Sequence, residues 1–347
     1  MPQPYNRNRQ PMKLAFNLNS KPRHLVGAIL LAAITSTTSA ADADSAVFIA
    51  LGTQGGPQPN AYRAQPAHAL QVGGETYLID AGNGVARQLQ SAGIELVDVK
   101  KVFISHNHDD HNADLGTLMG LSWSLNNRDD YAIFGPAGTQ QVVDGFLQSY
   151  KVNADIRTED SPLPRMGSFE GDVNVHNIGE ASKPVRIFKD ANVKVYAIEN
   201  CHYHHDKPLQ TETGIERSYA FRFEAADRTI VFSGDTGPCP QLVEFAKGAD
   251  LLVHEVFNSG LMAENIRAKG FMSALPDFLL NKMLEKSEQY HTTPEEVGKL
   301  AAAAGVGEVV LTHIMPGREE DPDDAYTEGV KRHYSGKVTV AQDLGRY

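Results

Sequence analysis

The chain contains Ser105-His106-Asn107-His108-Asp109-Asp110-His111 between a short apolar segment and an amphipathic one. The apolar segment predicts a buried strand and the amphipathic segment a helix. Side chains two residues apart in an extended segment point to the same side, so His106 and His108 can bind one cation together. Asp110 and His111 lie where the helix would begin, and its dipole favours a carboxylate there. The segment therefore predicts ligands for two cations rather than a solvated loop.

The first forty residues differ from the rest of the chain. They carry five basic residues and no acidic one, with an apolar run from Leu25 to Ile34 and small residues at 38–41. This pattern is typical of a secretory signal peptide. The apolar run is too short to span a membrane stably, which argues against a transmembrane helix. An uncleaved membrane anchor is the alternative. We predict a signal peptide at 1–40 and a periplasmic or secreted protein that has no membrane association after cleavage.

The charge of the remaining chain is strongly negative. Without residues 1–40 it has 27 basic against 43 acidic residues, a formal net charge of −16. Such a protein repels polyanions at long range, and we therefore expect no nucleic-acid partner.

The chain has two cysteines, Cys201 and Cys239. In an exported protein they could form a disulfide. Two buried thiols are an equally acceptable interpretation, because the sequence does not give the distance between them.

Strands and helices alternate along residues 41–347, and no linker divides this part into two compositional blocks. We therefore predict one α/β domain at 41–347. Residues 151–190 are rich in Asp, Glu, Pro and Gly, and we expect an irregular excursion of loops and strands there. The patterns predict strands at 46–51, 77–80, 102–105, 131–134, 193–198, 219–223, 229–232, 251–253 and 308–311, and helices at 85–92, 115–125, 139–150 and 294–304.

Three further ligand-type residues follow predicted strands. His202 follows the strand at 193–198, Asp235 follows the strand at 229–232, and His313 follows the strand at 308–311. Ligands at the carboxyl ends of successive strands can converge on one edge of a sheet.

The order H-x-H-x-D-H, His, G-D-T, His resembles the metallo-β-lactamase superfamily. Within it the pattern is most similar to the ribonuclease Z-like branch, which also contains arylsulfatases and phosphodiesterases. The resemblance implies a four-layer αβ/βα sandwich, in which two mixed sheets face each other with helices outside and metals at one rim. It rests on segments spread over residues 46–315, among them Leu51-Gly52-Thr53, Ile79-Asp80-Ala81-Gly82, Ser233-Gly234-Asp235-Thr236, His254-Glu255, His291-Thr292-Thr293-Pro294 and Leu311-Thr312-His313.

The resemblance also implies a set of metal ligands. It implies two divalent ions, for which we expect zinc from the mixture of imidazole and carboxylate, with iron or manganese as alternatives. His204 and His205 adjoin His202 and leave its assignment open, and Asp109 is expected to face solvent. The implied ligands are His106, His108 and His202 for the first ion, Asp110, His111 and His313 for the second, and Asp235 as a bridge between them.

The same resemblance implies a hydrolase that attacks its substrate with a hydroxide shared by the two ions. His291 would act as general acid and Glu255 would orient its ring. We count Asp110 among the catalytic residues as well, whereas His254 is expected to be a packed strand residue.

The substrate is less well determined by the sequence. The leader and the acidic segment at 151–190 argue against tRNA processing, so we expect a small anionic ester, either an aryl sulfate or a phosphodiester. Lactone hydrolysis and a non-catalytic metal-binding protein are the alternatives, and a homo-oligomer is compatible with the sequence. Arg217, Lys207, His204 and His205 are candidates for binding an anionic oxygen. Apolar residues at 257–278, including Phe257, Leu261, Met262, Phe271, Met272, Leu275 and Phe278, would form either an aryl-binding wall or the core of two helices.

Overall fold

Two seven-stranded β-sheets form the centre of the protein. The computed structural model describes residues 45–125, 130–161, 173–203, 209–268 and 271–347. The predicted signal peptide at 1–40 lies outside the described residues, and so do His204, His205 and Lys207. The residues that are described all belong to one compact unit within Ser39–Tyr347.

The elements follow one another in this order. The strands are β1 (Val47–Gly52), β2 (Ala67–Val72), β3 (Glu75–Ile79), β4 (Val99–Phe103), β5 (Tyr131–Gly135), β6 (Val173–Asn177), β7 (Val185–Lys189), β8 (Lys194–Glu199), β9 (Leu209–Thr211), β10 (Gly214–Glu216), β11 (Tyr219–Glu224), β12 (Thr229–Phe232), β13 (Leu251–Phe257), β14 (Glu308–Met315), β15 (Lys337–Val340) and β16 (Gly345–Arg346). The helices are α1 (Val85–Ser91), α2 (Asp109–Asn112), α3 (Leu115–Ser124), α4 (Thr139–Glu159), α5 (Pro240–Phe245), α6 (Ser259–Ala268), α7 (Asp277–Ser287), α8 (Pro294–Ala304) and α9 (Asp324–Lys331).

The two sheets pack face to face. The first has the strand order β16-β1-β2-β3-β4-β5-β6 and the second β15-β14-β13-β12-β11-β8-β7. Aromatic side chains from both sheets meet between them, as in Phe103 of β4 and Phe223 of β11, whose ring centroids are 5.2 Å apart. Burying one such ring stabilises the fold by roughly 1.5–3 kcal/mol. Helices α1 and α3 cover the outer face of the first sheet, and α5, α8 and α9 cover that of the second. The predicted four-layer αβ/βα sandwich is confirmed.

The alternation of side chains along β11 shows how the sequence produces these layers. Tyr219, Phe221 and Phe223 point into the apolar space between the sheets, whereas Ala220 packs under the outer helices. Neighbouring side chains of a strand point to opposite faces, so a strand of a covered sheet must be apolar on both sides.

Neighbouring strands run parallel in both sheets, so their carboxyl ends lie at the same edge of each sheet. β12, β13 and β14 are parallel, and in the first sheet β3, β4 and β5 are parallel. The loops that follow β4, β8 and β12 carry predicted ligands, and His313 lies near the end of β14. These positions meet at the same edge of the sandwich, as expected from the sequence.

Among the described residues, the predicted excursion of loops and strands at 151–190 contains strands as expected but begins with a helix. Helix α4 continues to Glu159, and residues 173–177 and 185–189 form the edge strands β6 and β7. Both strands are largely exposed and carry polar residues, so their apolar pattern is weak; pairing with β5 and β8 determines their conformation. Within the described ranges, no helix is both long and apolar enough to cross a membrane.

Candidate metal centre

Three imidazoles meet where β4 and β8 end, and we call them the first ligand group: His106, His108 and His202. Nε2 of His106 lies 3.0 Å from Nδ1 of His108, and Nε2 of His202 lies 3.1 Å from the same nitrogen. His106 and His202 are buried, whereas His108 is exposed and marks the open side of the site. The alternate spacing of His106 and His108 thus brings both rings to one point, as predicted.

The second ligand group consists of Asp110 and His111, from the start of α2, and His313, in β14. Oδ2 of Asp110 lies 3.3 Å from Nε2 of His313 and 3.6 Å from Nε2 of His111. All three side chains are buried. Asp109, between the two groups in sequence, is exposed as expected.

Asp235 lies between the two ligand groups. Its Oδ1 is 3.2 Å from Nε2 of His111, and its Oδ2 is 3.1 Å from Nε2 of His313. The same Oδ2 is 3.8 Å from Nε2 of His106 and 4.0 Å from Nε2 of His202. One carboxylate therefore faces imidazoles of both groups.

The turn that presents Asp235 depends on Gly234. Its φ of 57° lies in the left-handed region, and a Cβ atom there would be 2.6 Å from the carbonyl oxygen of Tyr219. Only glycine satisfies both conditions without strain. The Ser-Gly-Asp sequence thus has a steric reason as well as a chemical one.

Asp80 is part of the site although the sequence analysis assigned it no role. Its Oδ2 is 2.8 Å from Nδ1 of His111, and its two oxygens accept hydrogen bonds from the backbone N–H and the hydroxyl of Ser105. A carboxylate that holds one ring nitrogen directs the other nitrogen toward the site. The available signal was its position after β3, the strand that pairs in parallel with β4.

Burial dominates the electrostatics of the first ligand group. It lowers the pKa of His106 well below the usual value, and it also lowers the pKa of His108. Burial lowers the pKa of His202 to about 4. In the metal-free chain these rings are therefore neutral at pH 7 and have a free lone pair.

Carboxylates dominate the second ligand group. Burial alone would lower the pKa of His111, but Asp235, Asp110 and Asp80 together raise it well above its usual value. Burial would also lower the pKa of His313, but the carboxylates raise it well above its usual value, and Asp235 contributes most to the increase. Burial would raise the pKa of Asp110, but His111 and His313 hold it at about 2. The raised pKa values favour protonated rings at His111 and His313, next to the carboxylates of Asp110 and Asp235.

The donor atoms fit divalent metal ions. His111 Nε2 and Asp235 Oδ1 are buried and face each other, yet neither has a hydrogen-bond partner of suitable geometry among the described residues. The imidazole nitrogens of the first group face each other at 3.0 and 3.1 Å. Tetrahedral ligands bound at about 2.0–2.1 Å lie roughly 3.3 Å apart, close to this spacing. Both groups are sets of three His or Asp residues whose ligand atoms lie within 4.8 Å of one another.

Comparison with known families agrees with this geometry. Residues 75–314 match the beta-lactamase superfamily domain, and this range includes all seven predicted ligands. The chain belongs to this superfamily.

Relatives place it more closely within the superfamily. A ribonuclease Z from Mycobacterium marinum is 29% identical over 304 residues, which cover 85% of this chain and 96% of that protein. A ribonuclease Z from Mycobacterium sp. (strain KMS) is 32% identical over 277 residues, covering 78% and 86%. The resemblance to the ribonuclease Z-like branch is therefore confirmed.

Solved structures share the fold. The metallo-beta-lactamase fold protein YhfI from Bacillus subtilis superimposes with a TM-score of 0.61 at 20% identity, covering 87% of this chain and 98% of YhfI. Human tRNase Z, short form, gives a TM-score of 0.58 at 20% identity, with the same coverage of 87% and 98%.

These findings correct one expectation from the sequence. The absence of a nucleic-acid partner is contradicted, because the relatives are named ribonuclease Z. Net charge describes the field far from a protein, which salt screens over about 8 Å, whereas substrate binding depends on charges at the site itself. The exclusion of tRNA processing rested partly on the same argument and is not retained.

Glu255 and His291 form a pair beside the ligands of this superfamily member. Nδ1 of His291 lies 2.9 Å from Oε2 of Glu255 and 4.0 Å from Oδ2 of Asp235. Burial would lower the pKa of His291, but the carboxylate of Glu255 raises it. Glu255 also accepts a hydrogen bond from the backbone N–H of Thr236, next to Asp235. This hydrogen bond ties the pair to the loop that carries Asp235.

Other candidate residues lie elsewhere or have other partners. His254 is fully buried in β13, as expected for a packed strand residue. Arg217 pairs with Glu199 at 2.6 Å, so its charge is already offset.

The apolar residues at 257–278 have two different environments. Phe257 lies in an apolar core with Ile266, Leu280 and Leu284, against which Met262 and Met272 also pack, whereas Phe278 is 69% exposed. Phe257, Met262 and Met272 therefore fit the interpretation as a helical core, and Phe278 does not.

Proposed function

We propose that this protein is a binuclear metal-dependent phosphodiesterase whose substrate class is RNA. The observation that carries the proposal is the meeting of two ligand groups at one shared carboxylate, Asp235. Such an arrangement is suited to the two-ion sites of enzymes that cleave phosphodiesters.

In this proposal His106, His108 and His202 would hold one divalent ion and Asp110, His111 and His313 the other, with Asp235 near both. The ions, for which we expect zinc, would lower the pKa of water and place positive charge opposite the phosphoryl oxygens. Asp80 and the carbonyl of Tyr290, which is 3.0 Å from Nδ1 of His202, keep the imidazoles oriented.

His291 delivers the proton to the leaving oxygen. Because Glu255 binds Nδ1, Nε2 is the nitrogen that remains to donate. The carboxylate also favours the protonated ring, which is the form that a general acid needs. His291→Ala should slow substrates with poor leaving groups by about 100-fold or more and substrates with good leaving groups much less. Equal slowing of both would remove the acid role.

The substrate class rests on the relatives as well as on the site. Proteins named ribonuclease Z align with most of this chain, and a centre of two cations favours a substrate with anionic oxygens. Aryl sulfates and lactones were the other expectations from the sequence, and the same experiment separates them.

The decisive experiment measures metal content by mass spectrometry and then turnover of short single-stranded RNA, bis(p-nitrophenyl) phosphate, p-nitrophenyl sulfate and an acyl-homoserine lactone. We expect close to two ions per chain and the highest kcat/KM with the phosphodiesters. Faster turnover of the sulfate or the lactone would contradict the proposal. A chain that binds no metal would restore the non-catalytic alternative.

We also propose that the protein is exported. The sequence pattern of residues 1–40 and the pairing of both cysteines in a disulfide support this. Expression of the full chain, fractionation and N-terminal sequencing should find a mature chain beginning near residue 41 outside the cytoplasm. Intact chains confined to the cytoplasm would contradict it.

A further inference from the structure

A disulfide joins the two loops that carry His202 and Asp235. Cys201 and Cys239 are bonded, with Cα atoms 5.4 Å apart and a sequence separation of 38. Cys201 immediately precedes His202, and Cys239 is four residues after Asp235, at the start of α5. The bond therefore closes a chain segment that begins beside one ligand and ends beside another.

Hydrogen bonds beside the disulfide tie the same two loops together. The N–H of Cys201 donates to the hydroxyl of Thr236 at 3.0 Å. The N–H of Gly237 donates to the carbonyl of Cys201 at 3.1 Å. Gly237 has no room for a side chain, since a Cβ atom would lie 2.1 Å from the carbonyl oxygen of Gln289. The disulfide and these contacts form one connection between the loops.

The connection lies under the site and away from solvent. Cys201 is 3% and Cys239 4% exposed, and both pack in the core with Leu242 of α5 and Ile198 of β8. A soluble dithiol reaches the bond only when this core opens. The arrangement suits a permanent positioning element better than a rapidly responding redox switch.

We propose that the Cys201–Cys239 disulfide positions His202 against Asp235 and so sets the affinity of the first ligand group for its ion. The inference rests on the proposed metal centre. The second ligand group has supports of its own, because Asp80 holds His111 and the N–H of Gly56 donates to Asp110 at 3.0 Å. Loss of the disulfide therefore lowers the affinity of the first ligand group for its ion and leaves the affinity of the second group unchanged.

The test uses the mature chain and the double variant Cys201→Ser/Cys239→Ser. Thiol titration of the denatured wild type should find no free thiol. Both proteins are loaded with zinc and equilibrated with a series of chelator concentrations, and bound zinc is counted by mass spectrometry. The variant should release one equivalent at a roughly 10–100-fold lower chelator strength and retain the other, the range seen when support of a ligand is removed. Cobalt loading gives a second readout, because the absorption bands report each site separately.

Leu242→Ala is the matched control, since it removes apolar contacts from the same core without cutting the link between the loops. It should lower the melting temperature and leave both zinc affinities unchanged.

If Cys201→Ser/Cys239→Ser does not fold, the double variant Cys201→Ala/Cys239→Val keeps the core apolar and is tested in its place. Equal affinities in wild type and disulfide variants, or a free thiol in the wild type, would overturn the inference. So would loss of both ions in parallel with unfolding. A wild-type chain that binds no zinc would overturn the proposed function itself.

Discussion

The two ligand groups lie side by side, yet they are built from different chemistry. The first consists of three imidazoles whose pKa values burial lowers, so it is neutral without metal. The second contains Asp110 and shares most of the contacts of Asp235, and these carboxylates keep His111 and His313 protonated. One group therefore offers lone pairs to an ion directly, whereas the other must first release protons. Carboxylates near a histidine raise its pKa, so a metal ion competes with a proton for that ring.

Removing the shared carboxylate should have the largest effect. Asp235→Ala should lower the affinity for both ions by more than about 100-fold, because even the loss of a residue that only supports a ligand lowers metal affinity about 10–100-fold. It should also abolish turnover. Asp109→Ala is the matched control, since this carboxylate lies at the start of α2 beside His108 and Asp110 but is exposed to solvent. Zinc content and kcat would be measured for both, and a normal rate in Asp235→Ala would end the two-ion mechanism.

Removing one ligand from each group should separate them. His202→Ala should leave the second ion in place, and His313→Ala should leave the first, so that each variant binds close to one ion per chain. Each ion would keep its remaining ligands and Asp235. Zinc stoichiometry and cobalt spectra check this. Loss of both ions from either variant would show that the groups bind as one cooperative unit.

A change behind the second group should be smaller and equally selective. Asp80→Asn keeps the size of the side chain but removes the charge beside Nδ1 of His111. The affinity of the second ion should fall about 10–100-fold, and that of the first should not change. Chelator competition measures both. Asp190→Asn, a carboxylate bonded to Tyr77 away from the ligands, is the control and should leave both affinities at the wild-type value.

The last predicted difference concerns the protons that the two ligand groups bind. His111 and His313 have raised pKa values, so at pH 7 an ion must displace protons from the second group. Its affinity should therefore fall as pH falls, by about tenfold per pH unit for each proton displaced. The first group is already deprotonated at pH 7 and should show little change until the pH approaches the lowered pKa values. Calorimetry of the His202→Ala and His313→Ala variants in buffers of different ionisation enthalpy measures the protons released, and equal release from both would contradict the comparison.

Much of the fold was predictable because its strands are buried on both faces. The strand at Thr229–Phe232 and the helix at Pro294–Ala304 have the predicted limits, since continuous apolar runs and a proline-to-glycine boundary are strong local signals. The sequence predicted strands within 151–190 but not the limits of the edge strands β6 and β7, because exposed strands lack that pattern. Their conformation depends on neighbours distant in sequence.

For the candidate site, the sequence and the family resemblance named seven ligand-type residues, and the folded chain brings their side chains close together. The sequence did not reveal Asp80, nor that the charge of Arg217 is offset by Glu199. It left open whether Cys201 and Cys239 form a disulfide or remain thiols, and in the folded chain they are bonded. Only the tertiary structure decided these points, since they depend on distances between loops that chain connectivity leaves free. Net charge misled for the same reason: it sums charges without their positions, and binding depends on where they lie.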